Sequence, residues 1–180
     1  MTYDISNKNT LVTGANRGIG KAIVESFLEH GASKVYAGVR TLDKADALVA
    51  QFGEKVVPVD IDYDKPASIK AAAKTAGDAH VVVSNAGVLI GAGVMDEDVI
   101  EQFQIELNIN VYGLIRMAQA FAPVLKRNGG GAFVQINSIA SLSSFPRATY
   151  PASKAAAYSF TQALGPVSYT HLTLPTNTTV

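Results

Sequence analysis

The chain has 180 residues, 48% hydrophobic and 17% charged, enough for one packed core and too few for two ordinary domains. Fifteen Lys and Arg balance fifteen Asp and Glu, so no basic field favours nucleic acid or an anionic membrane. With no cysteine and three scattered histidines, His30, His80 and His171, the sequence excludes disulfides and thiolate catalysis and offers no metal-ligand spacing.

In chain order, short β-branched runs alternate with stretches of helical period. Thr10 to Thr13 reads as a first strand, and Gly18 to His30 as a helix with Ile19, Ala22, Ile23 and Phe27 on one face, ended by Gly31. Lys34 to Val39 is a second strand, Asp43 to Phe52 a helix closed by Gly53, and Lys55 to Val59 a third strand. Pro66 opens a helix in which Ile69, Ala72, Ala73 and Ala76 repeat at helical spacing. Ala79 to Ser84 is nearly all apolar, as a strand covered on both faces should be. A long helix is expected from about Glu106 to Lys126, then a turn at Gly129 to Gly131, a fifth strand from Ala132 to Asn137 and a last helix from near Tyr150. Such alternation implies a parallel sheet with helices on both faces. The polar N-terminus and the lack of a membrane-length apolar run make the expected setting cytoplasmic.

Between the first strand and helix lies Thr13-Gly-Ala-Asn-Arg-Gly-Ile-Gly20. Glycine suits three tasks here: Gly14 turns the chain off the strand, Gly18 lets backbone approach a pyrophosphate, and Gly20 lets helix pack on sheet. The helix N-terminus then offers N–H groups and partial positive charge to the anion. The spacing Thr-Gly-x-x-x-Gly-Ile-Gly resembles the cofactor signature of the short-chain dehydrogenase/reductase family. That resemblance implies a Rossmann-type fold, a doubly wound parallel sheet in three α/β/α layers.

Further motifs carry the same resemblance, which covers residues 5 to about 164. Asn85-Ala86-Gly87 follows the fourth strand and resembles the family's Asn-Asn-Ala-Gly, with Ser84 in place of the first Asn. Asp60 resembles the family's adenine-binding Asp, with Ile61 beside the ring, although Asp62 and Asp64 lie close by. Where NAD enzymes carry an acid at the end of the second strand, this chain has Gly38, followed by Arg40. Arg40 and Arg17 suit a 2′-phosphate, which points to NADP(H) over NAD(H). Asn16 and Ile19 complete the expected cofactor loop.

Tyr150-Pro-Ala-Ser-Lys154 resembles the family's Tyr-x-x-x-Lys. Four-residue spacing puts both side chains on one helical face. An unperturbed phenol ionises near pH ~10, and a nearby ammonium favours the phenolate. The resemblance implies that Lys154 also holds the nicotinamide ribose, that Ser138 hydrogen-bonds a substrate carbonyl, and that Asn110 holds a water in a proton relay to Lys154. The bland alternatives are a serine-rich loop around Ser138, with Ser141, Ser143 and Ser144, and a helical Asn bonding locally. The implied activity is hydride transfer between NADP(H) and a small carbonyl or alcohol substrate. The alternative is a non-catalytic dinucleotide-binding fragment or sensor on the same fold. Phe145, Pro146 and the segment Leu89 to Val94 are the expected pocket lining.

The pattern changes near the C-terminus. Gly165-Pro166 is expected to end the last helix, and from Ala155 to Val180 there is no Asp, Glu, Lys or Arg. Residues 1–165 therefore read as the NADP(H)-binding domain with its catalytic helix, and residues 166–180 as a non-native or irregular tail. Val167 to Thr176 is one frame of GTC TCT TAT ACA CAT CTG ACG CTG CCG ACG, which resembles a transposase-library sequencing adapter. The expectation is a sheet lacking the family's last strands, its fifth strand an exposed edge. Such a chain would be poorly stable and weakly active or inactive. For the full-length form, the resemblance implies a homodimer or homotetramer built on the two long helices.

Overall fold

The runs of Val, Leu and Ile seen in sequence become the strands β1 (Asn9–Thr13), β2 (Lys34–Val39), β3 (Val56–Asp60), β4 (Val81–Ser84) and β5 (Gly131–Gln135). The computed structural model describes residues 3–143, 145–168 and 172–173. The helices are α1 (Gly18–Glu29), α2 (Asp46–Phe52), α3 (Pro66–Thr75), α4 (Val99–Glu106), α5 (Gly113–Arg127) and α6 (Thr149–Ser168). A two-residue strand β6 (Leu172–Thr173) completes a sheet of order β3-β2-β1-β4-β5-β6, every described pairing parallel. The order reverses between β1 and β4, the crevice where open α/β sheets bind ligands at their strands' carboxyl ends.

Alternation along the strands divides the core. Leu11, Tyr36, Val82 and Phe133 face α3, α5 and α6 and pack on Ile69, Leu114, Phe121 and Leu125. Their neighbours Val12, Val35, Val83 and Ala132 face the other way, onto Val24 of α1 and Leu48 of α2. Each fully buried Leu, Val or Phe contributes about 1.5–3 kcal/mol, so the two layers hold the sheet edge on which the site is built. Among the described residues, no helix is long and apolar enough to cross a membrane.

The structure corrects the sequence reading at two places. The helix expected from Glu106 begins at Val99, and Leu107–Tyr112 forms a π-helical stretch between α4 and α5. That wider turn changes which residues face inward, so a single helical period cannot be followed through it. Second, α6 passes through Gly165 and Pro166 to Ser168, and β6 pairs Leu172 with Gly131 and Thr173 with Ala132. Pro166 removes one backbone donor close to the helix end, which interrupts the last turn less than it would a helix centre. The fifth strand therefore has a partner at its start, so the low stability and activity expected from a fully exposed edge lose that premise. The rest of the proposed irregular tail, residues 169–171 and 174–180, lies outside the described residues, as does Ser144.

Candidate functional site

At the reversal point, β1 hands the chain to α1 through a loop that only glycine permits. Gly14 and Gly18 have φ of +64° and +54°. A Cβ on Gly20 would lie 2.1 Å from the Gly14 carbonyl oxygen, while nothing lies within 4 Å of one built on Gly18. The loop is thus tight on its inner side and open in front of Gly18. No side chain caps α1, so its first N–H groups are left for an anion. Asn16 is half-buried in the loop, and Arg17 and Ile19 are exposed at its outer edge.

Thr13 ties this loop to β4. Its Oγ1 accepts from the backbone N–H of Asn85 and of Ala86, both at 2.9 Å, while Asn85 Nδ2 donates to the Thr13 carbonyl at 2.8 Å. Behind Thr13 the buried Tyr63 hydroxyl lies 3.1 Å from Oγ1 and 3.3 Å from Ser84 Oγ. Burial pushes the Tyr63 phenol up, against hydrogen bonds to Ser84 and Thr13 that lower it, which keeps it a neutral partner. Ser84, a departure from Asn-Asn-Ala-Gly, has a definite place in this network.

Toward the expected adenosine end, Gly38 stands beside Thr13 in the sheet, and a Cβ there would meet Ile61 Cδ1 at 3.0 Å. Asp62 accepts from the Asp64 N–H and pairs with Lys65 at 3.2 Å, and Asp64 accepts from Asn108. Those bonds commit Asp62 and Asp64 to the turn, while the exposed Asp60 at the end of β3 takes no part in them. Arg17 and Arg40 are both exposed, and no ion pair among the described residues engages either.

At the other end, Gly87, Asn110, Tyr150 and Lys154 come together. A Cβ on Gly87 would lie 3.1 Å from Asn110 Oδ1 and 3.6 Å from Lys154 Nζ. Lys154 Nζ donates to the Ile136 carbonyl at 3.2 Å and sits 6.0 Å from the Tyr150 ring centre. Burial pushes the Lys154 ammonium below its ordinary range. Asn110 rather than Asn108 is buried, and its amide accepts from the Val88 N–H and donates to the Val88 carbonyl and to Ser153 Oγ, each at 2.9 Å. Both amide hydrogens are therefore spent on protein, leaving none to donate to a water. Ser153 passes the contact on, donating to the Tyr150 carbonyl at 2.8 Å.

Ser138 lies just beyond β5, two residues after Ile136. Its Oγ accepts from the Ala140 N–H at 3.1 Å, capping a short 3₁₀ turn and leaving its hydroxyl hydrogen to be given elsewhere. A cleft of about 380 Å³ is lined in part by Ala140, Leu142, Phe145, Pro151 and Ala152; Ser138, Tyr150 and Lys154 do not line it. Phe145 lines this cleft, whereas Pro146 and the segment Leu89 to Val94 do not; that segment runs between the π-helical stretch and the start of α6.

The short chain dehydrogenase family model matches residues 8–171. The chain belongs to the short-chain dehydrogenase family. It is 32% identical over 166 residues to an uncharacterized oxidoreductase of Staphylococcus aureus strain N315, covering 89% of this chain and 71% of that protein. A short-chain dehydrogenase/reductase of Bos taurus is 32% identical over 171 residues, covering 89% of this chain and 56% of that protein. A short chain dehydrogenase of Burkholderia cenocepacia solved with NADP superposes with a TM-score of 0.88 at 34% identity, over 96% of this chain and 71% of that one. A Burkholderia phymatum member solved with NAD gives 0.83 at 27% identity, over 96% and 66%.

Within this short-chain dehydrogenase site, sequence reasoning missed Thr13, Tyr63, Glu106, Thr149 and Ser153. Each works through contacts between residues distant in sequence, such as the fifty-residue separation of Thr13 from Tyr63. Two of them carried a signal: Thr13 opens the Thr-Gly-x-x-x-Gly-Ile-Gly motif, and Ser153 lies inside Tyr-x-x-x-Lys.

Proposed function

We propose that this chain is an NADP(H)-dependent oxidoreductase that interconverts a carbonyl and an alcohol, with residues 1–165 as its cofactor-binding and catalytic unit. The observation that carries the reading is the meeting of Lys154, Asn110 and Gly87 beside Tyr150, at the far end of the crevice from the open phosphate loop. A dinucleotide fits that crevice: the uncapped α1 N-terminus and Gly18 would take the pyrophosphate, Asp60 and Ile61 the adenine, and Asn85 to Gly87 the backbone side of the nicotinamide half.

When bound, the reduced dinucleotide supplies a hydride equivalent to the carbonyl carbon. Tyr150 gives its phenolic proton to the carbonyl oxygen, and Ser138, its hydroxyl hydrogen free, donates a hydrogen bond to the same oxygen. Lys154, held by the Ile136 carbonyl, stands where its ammonium favours the phenolate left behind and can bond a ribose hydroxyl. Asn110 fixes the Tyr150 turn through Ser153, and a relay water would need another donor than its amide.

Preference for NADP(H) is supported by Gly38 where an acid would repel a 2′-phosphate, and by Arg17 and Arg40, which no ion pair among the described residues engages. The relative from Burkholderia cenocepacia was solved with NADP. A homodimer or homotetramer is supported by the exposed Ile105, Tyr112, Tyr158 and Phe160 along α4 to α6.

The test is oxidation of NADPH and of NADH by a panel of aromatic and aliphatic carbonyls, for wild type and an Arg17→Ala/Arg40→Ala double variant. Wild type should favour NADPH, and the double variant should lose that preference by weakening NADPH alone. Tight NADPH binding without any carbonyl-dependent oxidation would leave a dinucleotide-binding protein instead.

A further inference from the structure

A buried carboxylate lies one helical turn before Asn110, and no part of the proposed chemistry uses it. Glu106 ends α4 with no exposed surface. Its Oε1 accepts from the backbone N–H of Ile90 at 2.8 Å and of Gly91 at 3.1 Å, and its Oε2 has no partner. No ion pair among the described residues reaches it. Burying a carboxyl group is costly, and here the two bonds from backbone N–H groups are the whole return.

Those bonds belong to a strap. From Val88 to Ala92 the chain is unpaired with any strand, and side chains meet the N–H groups of Val88, Ile90, Gly91 and Ala92. Asn110 takes both the N–H and the carbonyl of Val88. Glu106 takes the N–H groups of Ile90 and Gly91. Thr149 Oγ1 accepts from the Ala92 N–H at 2.9 Å, and the Thr149 N–H donates to the Ala92 carbonyl at 3.3 Å. Both ends of the strap therefore bear on the first turn of α6, through Thr149 at one and through Asn110 and Ser153 at the other. Gly91, in the middle, has φ +75°, and a Cβ there would lie 3.0 Å from Arg147 Cδ, so the chain entering α6 also rests on the strap.

We propose that Glu106 is a positioning residue of the reductase site: it anchors the middle of the Val88–Ala92 strap, and the strap sets the Tyr150 turn of α6. The proposal rests on the oxidoreductase reading above. Its effect should fall on turnover, because reacting geometry is steeply sensitive to displacement, and spare cofactor affinity, because the phosphate loop is anchored separately through Thr13.

Two variants separate this role from bulk stability. Glu106→Gln keeps a carbonyl oxygen for both N–H groups and changes only the oxygen that has no partner. Glu106→Leu keeps the volume and removes the acceptor. The readouts are amide exchange at Ile90, Gly91 and Thr149, NADPH affinity, and kcat, KM and the pH profile of kcat with p-nitrobenzaldehyde as the probe carbonyl. Glu106→Gln should resemble wild type throughout. Glu106→Leu should speed exchange at all three amides, lower kcat by about tenfold or more, shift the pH profile and leave NADPH affinity unchanged. Wild-type kcat and pH profile in Glu106→Leu, or equal losses in both variants, would overturn the proposal. Should Glu106→Leu fail to fold, Thr149→Val removes the strap's other anchor, and wild-type turnover in it would be equally contrary. A wild type that binds NADPH yet reduces no carbonyl would defeat the oxidoreductase reading by itself. Exchange at Thr149 then decides the strap: acceleration in Glu106→Leu but not in Glu106→Gln supports it, and no acceleration rejects it.

Discussion

Gly20 shows how far one missing methyl group reaches. Its absent Cβ would lie 2.1 Å from the Gly14 carbonyl oxygen and 2.6 Å from Asn85 Nδ2, and both are fixed by bonds to Thr13 or by the turn itself. Neither can retreat without opening the junction of β1 with β4. Gly20→Ala should therefore cost about 1–3 kcal/mol in a urea melt and abolish measurable NADPH binding by fluorescence titration. Gly14, Gly18 and Gly20 were readable in sequence because their spacing is local. Asn110 was readable for the same reason, and Asn108, the neighbouring candidate, is committed instead to Asp64 and Arg116. Glu106 was not readable: nothing in a helical segment announces that one acid will turn inward to meet backbone sixteen residues away.

At the scale of elements, the strands were placed within a residue or two, since β-branched runs between turns have few other uses. The start of α4 was not. Ile100 and Ile105 on it are exposed, so apolar spacing misreports its inner face, and the π-helical stretch shifts the phase again before α5. The end of α6 was misread because Gly165-Pro166 is a local breaker that the surrounding helix tolerates. A contact between elements also sets an alkaline limit. Tyr36 of β2 donates to Asp78 at 2.7 Å, and Asp78 also accepts from Asn9 Nδ2 at 2.8 Å. Burial foremost, then the Asp78 hydrogen bond and charge, push the Tyr36 phenol from 10.0 up to about 12. In the unfolded chain the phenol ionises first, so folded stability is full below pH 10.0 and falls as pH rises toward about 12. Tyr36→Phe should flatten that fall in melts taken across this range. An unchanged alkaline slope would show that Tyr36 does not govern it.

For the molecule as a whole, cofactor and fold should be thermodynamically linked. A ligand that binds only the folded state at a hundred times its dissociation constant adds about 2.7 kcal/mol. In a chain of this size that corresponds to about 5–10 °C in Tm. NADPH should produce such a shift in a cooperative melt, and NADH at equal concentration a smaller one; equal shifts would remove the case for Arg17 and Arg40. The parallel sheet with helices on both faces and the glycine loop were foreseeable, because strand-helix alternation leaves few topologies. The pairing of β6 with β5 was not, since two residues carry no pattern.

The most direct test is a single-turnover measurement. Protein loaded with NADPH is mixed with a carbonyl panel, and loss of reduced nicotinamide is followed in wild type and in Tyr150→Phe. The predicted result is carbonyl-dependent oxidation in wild type and none in Tyr150→Phe, with NADPH bound equally well by both. Oxidation at the wild-type rate in Tyr150→Phe would contradict the assignment of Tyr150 as the proton donor, and with it the mechanism built on this site.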